Sequence, residues 1–186
     1  MSNGADDREL IARAARGDER AFAELVQRHQ HWVRRLAFRY VRQGQDAEEL
    51  AQEIFLRAWR HARSFRGEAA FATWLYRLAV NACLNFRAGR RARPETLPLS
   101  AGLESGAPAA DAALSAAERE ARLRQALDSL PARQRLALVL ASFEDKSYEE
   151  IAAAMGISLS SVESLLFRAR RGLAVALRPL REKGEI

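Results

Sequence analysis

The sequence predicts an all-α protein of two small helical domains joined by a flexible linker, the C-terminal one a helix-turn-helix. Three observations carry this. Apolar residues recur at steps of three and four along most of the chain, while no segment alternates apolar and polar as a strand would. A stretch rich in Pro, Gly and Ser, residues 94–115, breaks the helical pattern. Charge changes at the same place: residues 1–93 hold 18 basic and 11 acidic side chains, 94–115 none and 3, and 116–186 hold 12 and 10. The chain of 186 residues thus divides into modules 1–93 and 116–186, each just large enough for a small helical core.

The elements follow in order from periodicity and caps. A short helix is expected from Asp7 to Arg16. Phe22, Leu25, Val26, His29, Val33, Leu36, Ala37 and Tyr40 draw one apolar stripe along a helix from about Glu19 to Arg42, with Asp18 as its N-cap. After Gly44, Asp46-x-x-Glu49 makes a box-like start for a helix carrying Leu50, Ile54, Phe55, Ala58 and Trp59, to about Arg63. Phe71, Trp74, Leu75, Leu78, Ala79, Ala82 and Phe86 mark a long helix that runs into Arg87, Arg90, Arg91 and Arg93. Beyond the linker, Ser115-x-x-Glu118 opens a helix to about Ser129, and Pro131 suits the first turn of the next, which ends near Phe143. Ser147-x-x-Glu150 and Ser160-x-x-Glu163 read as two further capping boxes, bracketing a short helix, a turn at Gly156 and a longer helix to about Arg178.

Composition excludes several classes of function. The longest uncharged stretch, Ile151 to Val162, is 12 residues, against about 20 needed to span a bilayer. The first 30 residues lack an apolar signal segment, so a cytoplasmic protein without membrane insertion is expected. The single cysteine, Cys83, excludes an internal disulfide. There is no phosphate-binding Gly-Lys loop, His29 and His31 lack metal-ligand companions, and no His stands near Cys83 in sequence. No catalytic residue, metal, cofactor or small-molecule substrate is therefore expected. A net charge of +6 and a pI near 10.3 favour an acidic partner such as nucleic acid.

Tyr148 to Phe167 has the three requirements of a tight helix-turn-helix: a small crossing residue (Ala152), a turn residue tolerant of positive φ (Gly156), and apolar contacts from Ile151, Met155, Ile157, Val162 and Leu165. An ordinary helical hairpin with a Gly turn is the alternative. On the first reading, Ser160 to Arg171 is the recognition helix, with Ser160, Ser161, Glu163, Ser164, Arg168 and Arg171 as candidates for base or phosphate contact. The N-terminal module offers two other surfaces. Asp46, Glu49, Gln52 and Glu53 sit on the second long helix, the last three sharing one acidic face at i, i+3 and i+4; this is either a solubilising face or a site for a basic protein surface. The loop Phe65, Arg66, Gly67 and Glu68, with Trp74, Arg77, Asn81, Asn85, Arg90 and Arg91 on the helix after it, mixes rings, cations and amides suited to unpaired bases. Helical spacing assigns most of the rings to the core, leaving one or two of Phe65, Trp74 and Tyr76 for nucleic acid.

The runs from Asp46 to Trp59 (DAEELAQEIFLRAW) and Phe65 to Ala82 (FRGEAAFATWLYRLAVNA), then Leu130-Pro-Ala-Arg-Gln-Arg and Tyr148-Glu-Glu-Ile-Ala, resemble an extracytoplasmic-function (ECF) sigma factor of bacterial RNA polymerase, group 4 of the sigma-70 family. The resemblance covers about residues 8 to 180. It implies that residues 1–93 are sigma region 2 and residues 116–186 sigma region 4. It implies core RNA polymerase as partner, through its β′ clamp helices and β flap, with Glu49, Gln52 and Glu53 on the clamp-helix surface. Phe65 to Glu68, with Asn81, would hold a base flipped from the non-template strand of the −10 element, and Tyr148 to Arg171 would read the −35 element as duplex. It also implies a cognate anti-sigma factor. One departure stands out: many members have basic residues where this chain has Glu163 and Leu165. That leaves Glu163 two roles, accepting from a cytosine amino group or capping its helix through the Ser160 box. The alternative function is a two-domain transcriptional regulator binding operator DNA without polymerase. A monomer is expected for the free chain.

Overall fold

The computed structural model describes residues 6–91 and 116–182, and the expected linker and the Ser115 cap lie outside the described residues. Among the described residues there is no strand. The helices are α1 (Asp7–Ala14), α2 (Glu19–Val41), α3 (Gly44–His61), a 3₁₀ turn (Ala62–Ser64), α4 (Phe71–Arg91), α5 (Ala116–Ser129), α6 (Ala132–Phe143), α7 (Tyr148–Met155), α8 (Leu159–Ala176) and α9 (Arg178–Glu182).

In the N-terminal module the apolar stripes meet as their spacing requires. Leu25, Val33, Leu36, Ala37 and Tyr40 of α2 pack with Leu50, Ala51, Ile54 and Ala58 of α3 and Leu75, Ala79 and Cys83 of α4, all buried. Asp18 caps α2 by accepting from the Ala21 N–H at 3.1 Å, and its carboxylate also takes two hydrogen bonds from Arg13. α1 is tied down by Asp7, which accepts from Arg28 at 2.8 Å and from His29 Nε2 at 2.7 Å, while Trp32 donates to His29 Nδ1 at 3.1 Å. α3 starts two residues before the box expected at Asp46: Gln43 takes the N-cap position without a side-chain bond. Asp46 instead lies inside the first turn, where a carboxylate favours the helix dipole.

In the C-terminal module Leu136, Leu140, Ile151, Val162, Leu166 and Ala169 form the core. Pro131 takes the N-cap of α6 rather than its first turn. Ser147 and Glu150 make the full capping box at the start of α7, and Gly156 ends that helix in the left-handed region at φ 63°. The axes of α7 and α8 turn through 103°, within the range of a helix-turn-helix. The box expected at Ser160 does not form. Ser158 caps α8, accepting from the Ser161 N–H at 3.3 Å, so the helix begins one residue before Ser160.

The two modules touch along α2 and α4 on one side and α6 and α7 on the other. Arg39 bonds the Glu144 carboxylate at 2.6 Å and the Phe143 carbonyl, and its guanidinium stands 5.5 Å from the Phe143 ring centre. Arg135, 1% exposed, pairs with Asp128 and lies 5.7 Å from the ring centre of the buried Tyr40. Lys146 stands 5.4 Å from the Tyr76 ring centre. A cavity of about 410 Å³ remains between the modules, bordered by Trp32, Tyr76, Arg77, Glu144, Lys146 and Glu150.

Candidate nucleic-acid and polymerase interfaces

The first candidate surface is the turn into α4. Phe65 is half-buried, with its ring 6.1 Å from that of Phe71 and 5.4 Å from that of Trp74, both edge-on. These three rings wall the base of the loop, while Arg66 and Glu68 stand in solvent, 82% and 78% exposed and 3.9 Å apart. Gly67 adopts φ 71° and its carbonyl accepts from Arg8 of α1, so the loop is held from a helix 59 residues away. Arg63 adds a second tie, donating to the Ala15 carbonyl at 3.2 Å. Sequence reasoning missed Arg8, since no local pattern links it to the loop.

Along α4, Trp74, Arg77, Asn81 and Asn85 fall on one stripe by helical spacing, and the last three are exposed. Asn81 and Asn85 thus present amides about two and three turns along the helix from Trp74, on the same side as its ring. Tyr76 lies elsewhere: its ring is 5.7 Å from that of Trp32, in the contact between modules, and burial raises its phenol pKa well above the usual range. Of the three rings held in reserve for bases, Phe65 and Trp74 line the loop and Tyr76 does not. The side chains of Arg90 and Arg91 lie outside the described residues.

The second surface is on α3. Glu49 and Gln52 are exposed, whereas Glu53 is paired with Arg57 at 2.6 Å, which partly neutralises it. Beside them runs an apolar groove between α2 and α3, lined by Phe22, Val26, Phe55, Leu56 and Trp59, with Gln52 at its edge. Leu56 is 48% exposed. The acidic face read from the sequence is therefore one lip of a mixed surface whose apolar floor comes partly from another helix. Leu56 was the available signal, an extra apolar residue outside the core stripe.

The third surface is α8. Val162, Leu166 and Ala169 are buried, and at 100° per residue Ser160, Ser164, Phe167 and Arg171 fall on the opposite side while Glu163 lies at its edge, about a quarter turn from the core, all of them exposed. Ser161 is drawn into the cap, its hydroxyl 2.8 Å from that of Ser158. Arg168 and Arg171 are exposed, and Arg170 reaches the Tyr148 hydroxyl at 3.4 Å. Among the described residues no group of three His, Cys, Asp or Glu could hold a metal ion. No single helix among them is long and apolar enough to cross a membrane.

A helix-turn-helix coupled to a second basic helical module defines a two-module nucleic-acid-binding protein. Sigma-70 region 2 matches residues 25–93 and Sigma-70 region 4 matches residues 120–173. The RNA polymerase sigma-H factor of Pseudomonas aeruginosa is 38% identical over 94% of this chain and 95% of its own. The ECF RNA polymerase sigma-E factor of Escherichia coli K12 is 38% identical over 97% of this chain and 98% of its own. Among solved structures, CnrH in complex with the cytosolic domain of CnrY matches with a TM-score of 0.63 at 30% identity, over 93% of this chain and 97% of the other. The Bartonella quintana sigma factor RpoE, in complex with the anti-sigma factor NepR, matches with a TM-score of 0.57 at 27% identity, over 84% of this chain and 96% of the other. The chain belongs to the ECF sigma factors of RNA polymerase. Sigma factors are transcription initiation factors.

Proposed function

We propose that this chain recruits core RNA polymerase, recognises −10 and −35 promoter elements and nucleates strand opening, with residues 1–93 as region 2, 94–115 as linker and 116–186 as region 4. The observation that carries this is the pairing of two different nucleic-acid surfaces on one chain. α8 offers a helix for duplex DNA, and the Phe65–Glu68 loop with Asn81 offers an aromatic-walled niche for an unpaired base. An operator-binding regulator accounts for the first surface and leaves the second unused. Flipping a base costs a few kcal/mol of unstacking, which stacking on Phe65 or Trp74 and hydrogen bonds from Asn81 offset.

In this reading Asp46, Glu49, Gln52 and Glu53 meet the β′ clamp helices, with the adjoining groove burying an apolar contact, and the C-terminal module meets the β flap. Arg77, Asn85, Arg90 and Arg91 follow the −10 strand; Ser160, Ser161, Glu163, Ser164, Arg168 and Arg171 face the −35 duplex. A cognate anti-sigma protein is the expected regulator, supported by the complexes in which the structural relatives were solved. The chain acts in the cytoplasm as a monomer when free, without catalytic groups or cofactor of its own; the polymerase supplies the chemistry.

Run-off transcription with purified core RNA polymerase on genomic fragments tests this. Discrete start sites that depend on the added protein are expected. No transcript, together with tight binding of duplex operator by the protein alone, would make it a conventional regulator.

A further inference from the structure

The cap of α8 decides between the two roles that the sequence leaves to Glu163. Ser158, not Ser160, supplies the capping oxygen, and its hydroxyl lies 3.1 Å from that of Ser160 and 2.8 Å from that of Ser161. Ile157 before the cap and Val162 four residues into the helix both join the same apolar cluster, as a hydrophobic staple requires. The helix start is thus complete without Glu163. Its carboxylate is exposed, and among the described residues it makes no hydrogen bond or ion pair. It sits at the edge of the exposed face, about a quarter turn from the buried Val162, Leu166 and Ala169, with Phe167 one turn on and 64% exposed.

A carboxylate on the exposed side of a helix that meets a polyanion is repelled by every phosphate. The groups that can compensate are hydrogen-bond donors on base edges. In the major groove these are the cytosine N4 and adenine N6 amino groups. Adenine sets its N7 acceptor beside the amino group, which suits a side-chain amide that donates and accepts together. A carboxylate only accepts, and matches cytosine. Ser160 and Ser164 beside it are short and leave the longer Glu163 carboxylate unshielded at the rim of that face, and Arg168 and Arg171, further along the helix, can hold phosphates.

We propose that Glu163 is a specificity-determining residue that selects a cytosine in the upstream promoter element by accepting a hydrogen bond from its N4 amino group. The inference rests on the assignment of α8 to the −35 duplex and adds the base that this chain reads there.

The test uses holoenzyme reconstituted from this chain and core RNA polymerase, transcribing a library randomised across the upstream duplex element, with transcripts sequenced. At one base pair the wild type should favour cytosine over thymine about tenfold, the size of one good base contact. Glu163→Ala should flatten that position and leave the preferences at the others. Replacing that cytosine by a pyrimidinone lacking the 4-amino group should lower wild-type output by a similar factor and leave the variant unaffected. Because Glu163 is exposed and Ala favours helix, far-UV circular dichroism of the variant should be unchanged. If Glu163→Ala keeps every preference of the wild type, the proposal fails while the −35 assignment stands. If wild-type output is indifferent to the whole upstream element, the assignment of α8 fails and takes the proposal with it.

Discussion

At the scale of single residues, the loop before α4 shows how little backbone holds a candidate base pocket in shape. Gly67 sits at φ 71°, and a Cβ built there would stand 2.9 Å from an Arg8 guanidinium nitrogen. Gly67→Ala should therefore cost about 1–2 kcal/mol from the left-handed backbone alone, measured by urea unfolding. Displacing Arg8 should also slow promoter opening more than it weakens core binding. Asn81 is exposed and lies on the same stripe as Trp74, so its removal should not disturb the core. Asn81→Ala should slow opening of the −10 element by about tenfold, the size of a lost base contact, with core affinity unchanged. Fluorescence of 2-aminopurine at the flipped position reports both; an unaltered opening rate would remove Asn81 from the pocket.

At the scale of elements, α7 depends on a box that is partly ionic. Glu150 accepts from the Ser147 N–H at 2.8 Å and from Lys146 at 2.9 Å, and these bonds, the one from Lys146 first, hold its carboxyl below the usual range. A group whose pKa is lowered on folding lends stability above its unfolded pKa and loses it as pH falls through the folded one. The first turn of α7 should thus fray on acidification below the ordinary carboxylate range, seen as faster amide exchange at Glu150. On α3, Glu49→Lys with Glu53→Lys should weaken binding to core polymerase at least tenfold while the fold persists, by titration of fluorescently labelled protein. Glu49 should dominate, because Glu53 is already engaged by Arg57. Helix existence was legible in the sequence since each long apolar stripe has period 3.6 and each pairs with another. The start of α8 was not, since Ser158 and Ser160 are both good caps and Glu163 completes a box for the second. The staple decides it: a cap at Ser158 brackets Ile157 and Val162, whereas a cap at Ser160 would bracket Leu159 and the polar Ser164. The candidate surfaces were legible as residue types along single helices. Arg8 against Gly67, and the apolar lip beside Gln52, were not, because each joins helices distant in sequence.

At the scale of the whole molecule, Glu144 joins the two modules. Its side chain is only 8% exposed, pairing with Arg39 at 2.6 Å and lying 3.9 Å from Arg35. Elements named for positions 10 and 35 lie about 85 Å apart along B-form DNA. A folded chain of this length has a radius of gyration of about 16 Å and spans about half of that. A stretch as long as residues 92–115 reaches up to about 80 Å when extended. Engaging both elements therefore requires the modules to part. Glu144→Arg sets like charges against Arg35 and Arg39, and should raise the radius of gyration in small-angle scattering at low salt; an unchanged value would place the hold between modules in the buried Arg135 and Tyr40 contact instead.

Cys83 lies in the wall of the N-terminal core, fully buried, and burial pushes its thiol up to about 12. At neutral pH the nucleophilic thiolate is then nearly absent and shielded from solvent, so an alkylating reagent finds it only in molecules whose α2–α3–α4 core has opened. A chain with one cysteine in that position has a built-in clock: the labelling rate of a single atom reports how often region 2 comes apart, with no probe attached and no residue changed.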